Sequence, residues 1–263
     1  MIIIKIGGGT GVNLQGIIQD LARVKEKFMI VHGANALRDK LSEDLGQPKK
    51  VVTSVSGYAS VYSDETMIDQ MMMAYAGVRN KRIVELCHQH GINAVGFSGL
   101  DGKAVQGVRN KGIRVYEGGK LKVLRDYSGK PETINKGFLD LLLDNGYVPV
   151  LTVPIIDEQN QAINTENDDV VRVLQKAMRA GTVINLIEAP GFLENKEDEG
   201  SLIKRMTAAE LETREQQVDG RMKRKMLAIR KLFDHGASKV IIADGRGEHP
   251  VSDALAGKGT VIE

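Results

Sequence analysis

Ile2-Ile3-Ile4-Lys5-Ile6-Gly7-Gly8-Gly9-Thr10-Gly11 is the stretch that decides the fold of this chain. Its apolar, mostly β-branched first half predicts a buried central strand, and the glycines let the backbone turn sharply and approach a ligand closely. Lys5 stands inside the apolar run, where an ammonium is costly unless it points toward a negative charge. Backbone N–H groups of a glycine turn, together with one ammonium, commonly hold phosphate. The alternative is an edge strand with a solvated Lys5 and an ordinary turn.

Size and composition are those of a folded α/β chain. The 263 residues carry 36 Lys and Arg against 34 Asp and Glu, a balance that argues against a nucleic-acid coat or a disordered chain. The single cysteine, Cys87, excludes a disulfide within the chain, and its helical surroundings predict a core position. Because the chain starts directly with a strand and has no long apolar run, we expect a soluble, cytoplasmic protein without a signal peptide.

Strand and helix patterns alternate along the chain. The predicted strands are the apolar run that begins at Met1 and ends at the first glycines, and residues 28–32, 93–97, 147–153, 182–187, 240–243 and 260–262. The predicted helices are residues 14–25, 64–90, 133–145, 170–179 and 207–215, one with Leu37, Leu41 and Leu45 that is closed by Gly46, and one that starts in residues 219–225 and runs through Gly236. Residues 49–62 are expected to form a hairpin or lid, and residues 113–123 a hairpin.

This alternation predicts an α/β fold, a three-layer α/β/α sandwich with a mainly parallel central sheet. Ligands of such sheets bind at the carboxyl ends of the strands. The glycines after Ile6 and the small residues after His32 both lie there.

Two polar clusters stand at predicted helix starts. The first, Asn164 to Asp168, has helix capping as its alternative, since the helix dipole favours acidic residues at this position. The second, Arg221 to Lys225, places cations where the dipole disfavours them. An anionic ligand explains this second cluster better than a solvated face.

Several common sites are absent from the sequence. It contains no G-x-x-x-x-G-K-[ST] loop, no G-x-G-x-x-G fingerprint and no G-x-S-x-G elbow, and its His and Cys residues lack metal-ligand spacing. What remains is a set of glycine-rich strand ends, two unusually placed lysines and one acidic helix start. Together they indicate phosphoryl transfer, in which catalysis is mainly positioning and charge neutralisation.

On these residues the chain resembles the amino acid kinase family over nearly its whole length. The segments that carry the resemblance are Lys5-Ile6-Gly7-Gly8, Val31-His32-Gly33, Asn164 through Asp168, Ala189-Pro190-Gly191-Phe192 and Gly220 through Lys225. Within the family it is most similar to kinases acting on aminoadipate or glutamate attached to the amino-group carrier protein LysW, which are relatives of N-acetylglutamate kinase. Supporting phrases include Gly96-Phe97-Ser98-Gly99-Leu100-Asp101-Gly102 and Ala243-Asp244-Gly245-Arg246.

The resemblance implies the amino acid kinase fold and ATP-dependent formation of an acyl phosphate on a side-chain carboxylate. That nucleophile, with an ordinary pKa near ~4.3, is already ionised and needs no general base. The implied catalytic residues are Lys5 and Lys225, which neutralise phosphoryl charge, and Asp168, which holds both lysines. The implied phosphate- and nucleotide-binding residues are Gly7, Gly8, Glu188, Pro190, Gly191 and Phe192. The implied substrate-binding positions are Gly33, Ala34, Val61 and Asn164. Mg²⁺ is expected to arrive with ATP, with no metal site built by the protein.

The chain departs from the family pattern mainly on the acceptor side. Ala34 replaces a second glycine, Asp39 stands where asparagine is usual, and Val61 stands where an arginine grips the substrate's α-carboxylate. Arg38 is a candidate to supply that charge from the neighbouring turn. On the nucleotide side, Glu188 and Glu166 also differ from the usual residues.

Two classes of function follow. The first is a kinase of LysW-carried aminoadipate or glutamate in lysine or arginine biosynthesis, with free N-acetylglutamate as the alternative substrate. The second is a non-catalytic, regulatory nucleotide-binding relative. The resemblance implies a small acidic carrier protein as partner, for which the basic residues Lys49, Lys50, Arg109 and Lys111 are either a docking surface or a solvated face.

The resemblance also implies a division of labour within the chain. Residues 1–157 form an N-terminal lobe for acceptor binding and dimerisation, and residues 158–263 form a C-terminal lobe for ATP binding, within one continuous domain. The expected homodimer uses the long helix that contains Met71 to Met73, although core filling is the alternative for these methionines.

Overall fold

The computed structural model describes residues 1–55, 57, 59–195, 197–217, 220–234 and 236–263, and of residues 117, 217 and 220–225 it describes the main chain only. The strands in this part of the chain are β1 (Ile2–Ile6), β2 (Phe28–His32), β3 (Val51–Thr53), β4 (Ala59–Val61), β5 (Ala94–Ser98), β6 (Val105–Arg109), β7 (Ile113–Glu117), β8 (Lys120–Leu124), β9 (Gly129–Ile134), β10 (Val148–Thr152), β11 (Ile155–Ile156), β12 (Ala162–Ile163), β13 (Thr182–Ile187), β14 (Arg205–Met206), β15 (Lys239–Asp244) and β16 (Thr260–Ile262).

The α-helices are α1 (Leu14–Leu21), α2 (Asn35–Asp44), α3 (Glu65–Met71), α4 (Asn80–Gln89), α5 (Lys136–Asp144), α6 (Asn167–Met178), α7 (Ala208–Gln217), α8 (Gly220–Asp234) and α9 (Pro250–Leu255). A π-helical segment, Met72–Arg79, joins α3 to α4, and short 3₁₀ turns cover Asp101–Lys103 and Glu199–Ser201. None of the described helices has the length and apolar character needed to cross a membrane.

The central sheet has eight strands in the order β14-β16-β15-β13-β1-β2-β10-β5. The pairs on either side of β1 are parallel, so that Ile6 lies beside Leu186 of β13 and beside His32 of β2. Among the described pairings of this sheet, only that of β15 with β16 is antiparallel. The mainly parallel sheet is therefore confirmed, and its carboxyl ends at β13, β1 and β2 lie next to one another.

Apolar side chains cover both faces of this sheet. Ile3 belongs to a core cluster with residues of α3, α5, α6 and α8, whereas Ile2, Ile4 and Ile6 belong to a second cluster with residues of α1, α4 and α9. Because neighbouring residues of a strand point to opposite faces, the two clusters lie on opposite sides of the sheet. The three-layer α/β/α sandwich is confirmed, and we call the two sides the Ile3 face and the Ile4 face.

The helix predicted over residues 64–90 is one continuous run whose middle is π-helical. Met71, Ala74 and Tyr75 pack on the Ile3 face, whereas Ile83 and Cys87 pack on the Ile4 face. The run therefore changes sides of the sheet within the segment Met72–Arg79. Cys87 is fully buried, as predicted, and burial raises the pKa of its thiol to about 12.

Several local predictions hold and others need correction. The hairpins predicted in residues 49–62 and 113–123 are present as β3–β4 and β7–β8. A second sheet, in the order β12-β11-β6-β9, was not predicted. Thr133 lies in β9 of this sheet and not in a helix, because α5 begins after Asn135, whose side chain caps the helix by accepting from Phe138 N. Helix α6 begins three residues earlier than predicted, at Asn167.

Strands from both sides of the predicted boundary at residues 157 and 158 share the central sheet. The assignment of acceptor binding to one side and ATP binding to the other stays a prediction.

Candidate active site

The candidate site lies at the carboxyl ends of β13, β1 and β2, where three turns meet. Gly7 N–H donates to Leu186 O (2.9 Å) and Gly33 N–H donates to Ile6 O (2.9 Å). These bonds continue the sheet pairing beyond the last strand residues. The glycine run after β1 is thereby held between the turn after β13 and the turn after β2.

Gly8 is in close contact with the turn that follows β2. Its carbonyl accepts from Ala36 N–H (3.0 Å), and a Cβ built on Gly8 would lie 2.6 Å from Asn35 N and 2.8 Å from Ala34 N. The position requires glycine because two backbones approach each other with no room for a side chain. The predicted residues Gly7, Gly8, Gly33 and Ala34 thus form one compact backbone surface.

Lys5 and Asp168 form an ion pair across this edge of the sheet. Lys5 Nζ donates to Asp168 Oδ1 at 2.6 Å, with 15% of the lysine side chain and 35% of the aspartate side chain exposed. Asp168 occupies the first turn of α6, and Lys5 shares the Ile3 face of β1. For a pair this buried, desolvation largely offsets attraction, so stability alone is a weak reason for two charges here. The predicted association of Lys5 with Asp168 is present.

Helix α6 brings a second polar residue to the same place. A Cβ built on Gly33 would lie 3.6 Å from Asn167 Nδ2, and Asn167 Oδ1 and Thr165 Oγ1 are buried without a hydrogen-bond partner. The capping alternative is weakened at Glu166, since this N-cap residue makes no side-chain hydrogen bond to the helix. Asn167 was missed as a site residue although it lies inside the predicted polar cluster.

Lys225 stands in the second turn of α8, a helix that packs against α6. Its side chain, like those of residues 221–224, lies outside the described part of the structure. The predicted contact between Lys225 and Asp168 stays a prediction.

Glu188 faces the glycine run from the end of β13. Its Oε1 accepts from Gly11 N–H at 2.5 Å, and its carboxylate lies over Gly9. The turn after β15 flanks the other side, where Gly245 N–H donates to Ile187 O and Asn13 N–H donates to Gly245 O, both at 2.7 Å. The glycine run is therefore held on two sides, by Glu188 and by the turn after β15. Its remaining side faces the carboxyl ends of the strands.

The turn of Pro190, Gly191 and Phe192 follows β13. The Phe192 side chain belongs to the core of the Ile3 face, and its N–H donates to Thr260 Oγ1 at 2.8 Å. Contact with a nucleotide through the Phe192 ring is therefore disfavoured, which leaves Pro190 and the Gly191 backbone as the groups for the predicted role.

Among the positions predicted to bind the acceptor, Asn164 links the segment after the β3–β4 hairpin to the second sheet. Asn164 Nδ2 donates to Ser63 Oγ (2.9 Å), and its N–H donates to Tyr127 O (2.7 Å). Ser63 is buried and follows β4, the strand of Val61. Val61 packs its side chain against the core of the Ile3 face. This position is apolar in the structure as well as in the sequence.

Arg38 does not supply a free charge in place of the missing arginine. Its Nε and Nη2 donate to Asp39 Oδ1 at 3.0 and 2.6 Å, and Lys49 of the hairpin donates to the other Asp39 oxygen. Burial raises the pKa of Asp39, but the hydrogen bonds from Lys49 and Arg38 outweigh it and hold this pKa below its usual value. Both cations of this cluster are therefore engaged by the one carboxylate of Asp39.

His32, the last residue of β2, is not placed to act as a general base. Its ring is fully buried, with Asn80 Nδ2 3.1 Å from its Nε2. Burial lowers its pKa to about 3, so the imidazole stays neutral at physiological pH. Among the described residues, no group of three His, Cys, Asp or Glu side chains could hold a metal ion. What the site offers is a set of backbone donors and an ammonium, which suits a bound phosphate.

Comparisons with known proteins support this interpretation. The model of the amino acid kinase family matches residues 1–244 of the chain. The chain is 40% identical over 268 residues to the [LysW]-aminoadipate kinase of Thermus thermophilus, covering 100% of both chains. It is also 40% identical over 266 residues to the [LysW]-aminoadipate kinase of Deinococcus radiodurans, covering 100% of this chain and 91% of the relative.

Among solved structures, the fold is similar to that of N-acetylglutamate synthase from Neisseria gonorrhoeae complexed with coenzyme A and N-acetyl-glutamate. The TM-score is 0.78 at 18% identity, and the match spans 99% of this chain and 58% of that one. At this identity the likeness shows the fold alone.

The contact at Gly8 generates a stability prediction. We expect Gly8→Ala to lower the free energy of unfolding by about 1–3 kcal/mol, because the new methyl group must displace backbone at Ala34 and Asn35. Urea denaturation measures the change. The control is Gly137→Ala on the exposed side of α5, where a Cβ meets nothing nearer than Asn135 Oδ1 at 3.8 Å. That variant should gain up to about 1 kcal/mol, and equal effects of the two substitutions would contradict the assigned contact.

Burial of neutral His32 predicts a pH dependence of stability. Between its ordinary pKa of 6.5 and its folded value of about 3, the unfolded chain binds the extra proton. The free energy of unfolding should therefore fall, by up to about 1.4 kcal/mol per pH unit, as the pH is lowered through this window. Urea denaturation from pH 6.5 to 4 should show a shallower slope for His32→Gln than for the wild type. His88→Gln, at an exposed position of α4, should keep the wild-type slope; a wild-type slope in His32→Gln would refute the inference.

Proposed function

Since the chain belongs to the amino acid kinase family, we propose that it transfers the γ-phosphoryl group of ATP to the side-chain carboxylate of an amino acid carried by a LysW-type protein. The observation that supports this most directly is the Lys5–Asp168 pair beside the Gly8 and Gly33 turns. It places an ammonium next to backbone donors at the end of the central strand.

In the proposed reaction, a carboxylate oxygen of the acceptor forms a bond to the γ-phosphorus. The bond from that phosphorus to the β–γ bridging oxygen breaks, and ADP leaves with the electron pair. The acceptor carries no proton at neutral pH, so no base is required, in keeping with the neutral, buried ring of His32. The obstacle is repulsion between two anions, and the protein's task is to neutralise it.

Lys5 is proposed to contact the phosphoryl oxygens, because its ammonium is held at the strand end by Asp168. The N–H groups around Gly8 and Gly33 would bind the remaining phosphoryl oxygens. Lys225, on the helix next to α6, is proposed to act from the nucleotide side. Mg²⁺ belongs to this proposal as the ion that accompanies ATP and supplies positive charge to phosphate oxygens.

Aminoadipate on the carrier is the favoured acceptor, because relatives at 40% identity that match the whole chain are named [LysW]-aminoadipate kinase. This places the proposed activity in lysine biosynthesis. Carrier-bound glutamate, in arginine biosynthesis, and free N-acetylglutamate are the other acceptors. The apolar Val61 and the pairing of Arg38 with Asp39 weigh against the free amino acid, since an unattached substrate has only the site's own groups to hold its α-carboxylate.

The proposal extends to a homodimer and to a carrier-docking face. Met71 fills the core and Met72 packs against it, whereas Met73 and Val78 of the long helix are half exposed and are candidates for the subunit interface. Of the basic residues proposed for docking, Lys49 is engaged by Asp39, and Arg109 stacks on the Tyr127 ring at 4.0 Å from its centroid.

The test is hydroxylamine trapping of the acyl phosphate with ATP, Mg²⁺ and each of the three acceptors. We expect trapped product with the carrier-bound substrates, most with aminoadipate. Nucleotide binding without product on any acceptor would instead support the non-catalytic alternative.

Lys5 provides a sharper test of mechanism. We expect Lys5→Met to lower turnover by about 100-fold or more while leaving ATP affinity within a few-fold, because the ammonium acts on charge in the transition state. The assay is hydroxylamine trapping, and calorimetry measures ATP affinity. Lys27→Met removes an exposed lysine that pairs with Asp144 at the surface, and it should leave both values unchanged. Substantial turnover in Lys5→Met would show that another group neutralises the phosphoryl charge.

A further inference from the structure

Arg79 is an arginine whose charge the proposed mechanism does not use. It is the last residue of the π-helical segment, and its neighbour Asn80 is buried against the end of β2. Asn80 Nδ2 lies 3.1 Å from His32 Nε2 and donates to Val150 O at 3.0 Å. The main chain at Arg79 is therefore fixed, because the next residue, Asn80, contacts the carboxyl edge of the sheet.

The position of Arg79 relative to Lys5 follows from the strand alternation. Ile30 of β2 packs on the Ile4 face, and His32, two residues later, points to the same face. The contact of Asn80 with His32 therefore places this part of the helix on the Ile4 face. Lys5 belongs to the Ile3 face with Ile3 itself. The main chain next to Asn80 and the side chain of Lys5 therefore lie near the same edge of the sheet, on opposite faces.

The guanidinium of Arg79 has an unused edge. Its Nε and Nη2 are buried and have no hydrogen-bond partner. These two nitrogens form one side of the guanidinium fork, the side that donates two parallel hydrogen bonds to two oxygens of one anion. The next two cations along the helix are engaged, Lys81 with Gly96 O and Arg82 with Glu85. A buried charged edge without a partner is costly unless a ligand supplies the acceptors.

Two titratable groups at the carboxyl edge of the sheet interact with Arg79. Burial lowers the pKa of Arg79, and the negative charge of Glu188 acts against this shift. The positive charge of Arg79 in turn helps to lower the pKa of His32, after the larger effect of burial. Glu188 follows β13 and His32 ends β2, and β1 lies between these two strands. Both interactions agree with the contact of Asn80 with His32, which fixes the neighbouring main chain at the end of β2.

We propose that the Nε–Nη2 edge of Arg79 binds two oxygens of the phosphate chain of a nucleoside triphosphate at the glycine run, from the sheet face opposite Lys5. The ligand class rests on the proposed function. The arrangement gives the phosphate chain a cation on each face of the sheet, with backbone donors between them. Glu188 does not use the edge, since Nε and Nη2 of Arg79 have no hydrogen-bond partner.

The test is calorimetric titration of Arg79→Met with ATP, ADP and AMP in the presence of Mg²⁺ and without an acceptor. We expect the affinities for ATP and ADP to fall by about 10- to 100-fold, the loss of a bidentate charge-assisted contact. AMP affinity should change by less than a factor of about 3, because AMP lacks the outer phosphates. Arg79→Lys should recover part of the loss, since it restores the charge without the fork.

Arg82→Met is the matched control. It removes an exposed cation one position beyond Lys81 on the same helix, and it should leave all three affinities unchanged. A melting temperature of Arg79→Met within a few degrees of wild type shows that the variant is folded. A change in its nucleotide affinity is then not caused by unfolding.

Wild-type ATP and ADP affinities in Arg79→Met, or an equal loss for all three nucleotides, would overturn the proposal. If Arg79→Met behaves as expected but no acceptor yields trapped acyl phosphate, the proposed kinase reaction fails and the assignment of Arg79 to phosphate stands.

Discussion

The ion pair between Lys5 and Asp168 is the interaction on which the arrangement of the site depends. It joins the central strand to the first turn of α6, two segments separated by 163 residues in sequence. Lys5 can reach Asp168 only because β1 lies inside the sheet, paired on both sides, with its last residues at the carboxyl edge. The charge is placed by the same parallel pairing that builds the core. The position of β1 in the sheet therefore determines both the packing of the core and the location of Lys5.

The backbone supplies much of the rest of the site. The turns after β1 and β2 approach so closely that no side chain fits at Gly8, and Glu188 fills the space over Gly9. Such packing fixes the directions of several N–H groups without any flexible side chain. Preorganised donors cost little reorganisation when charge moves between two anions, which is the difficulty of the proposed reaction. In the proposed reaction, the short, small-residue turns thus serve the chemistry as well as the packing.

The sequence predicted the parts of this structure that local pattern determines. The bounds of β2, β13 and β16 were correct, because buried β-branched runs between turn residues leave few alternatives. The association of Lys5 with Asp168 came from the family resemblance. In the second sheet, β11 and β12 were missed because they are two residues long and are stabilised by tertiary pairing.

The π-helical segment Met72–Arg79 was not predicted from the sequence. Its residues fit an ordinary helical pattern, and the register change shows only in which sheet face each part packs against. Arg79 could not be singled out from the sequence for the same reason. It follows Val78, which is exposed, and a regular α-helical pattern does not indicate that the side chain at position 79 is partly buried. The interpretation of Arg79 depends on the contact of Asn80 with His32, which a local sequence pattern does not predict.

The two halves of the site differ in how their charges are used. On the phosphate side, Arg79 presents an open edge, and Lys5 is paired with a half-buried carboxylate. On the acceptor side, Arg38 and Lys49 are both bound to Asp39, and Val61 is apolar. In the proposed reaction, these residues serve the transferred phosphoryl group, and the acceptor's α-carboxylate meets no arginine at position 61. A free amino acid would be held poorly, whereas an amino acid attached to a carrier is delivered by contacts outside the site, which raise its effective concentration there. The loss of the expected arginine at position 61 is therefore compatible with catalysis if binding energy for the acceptor comes from the protein that carries it.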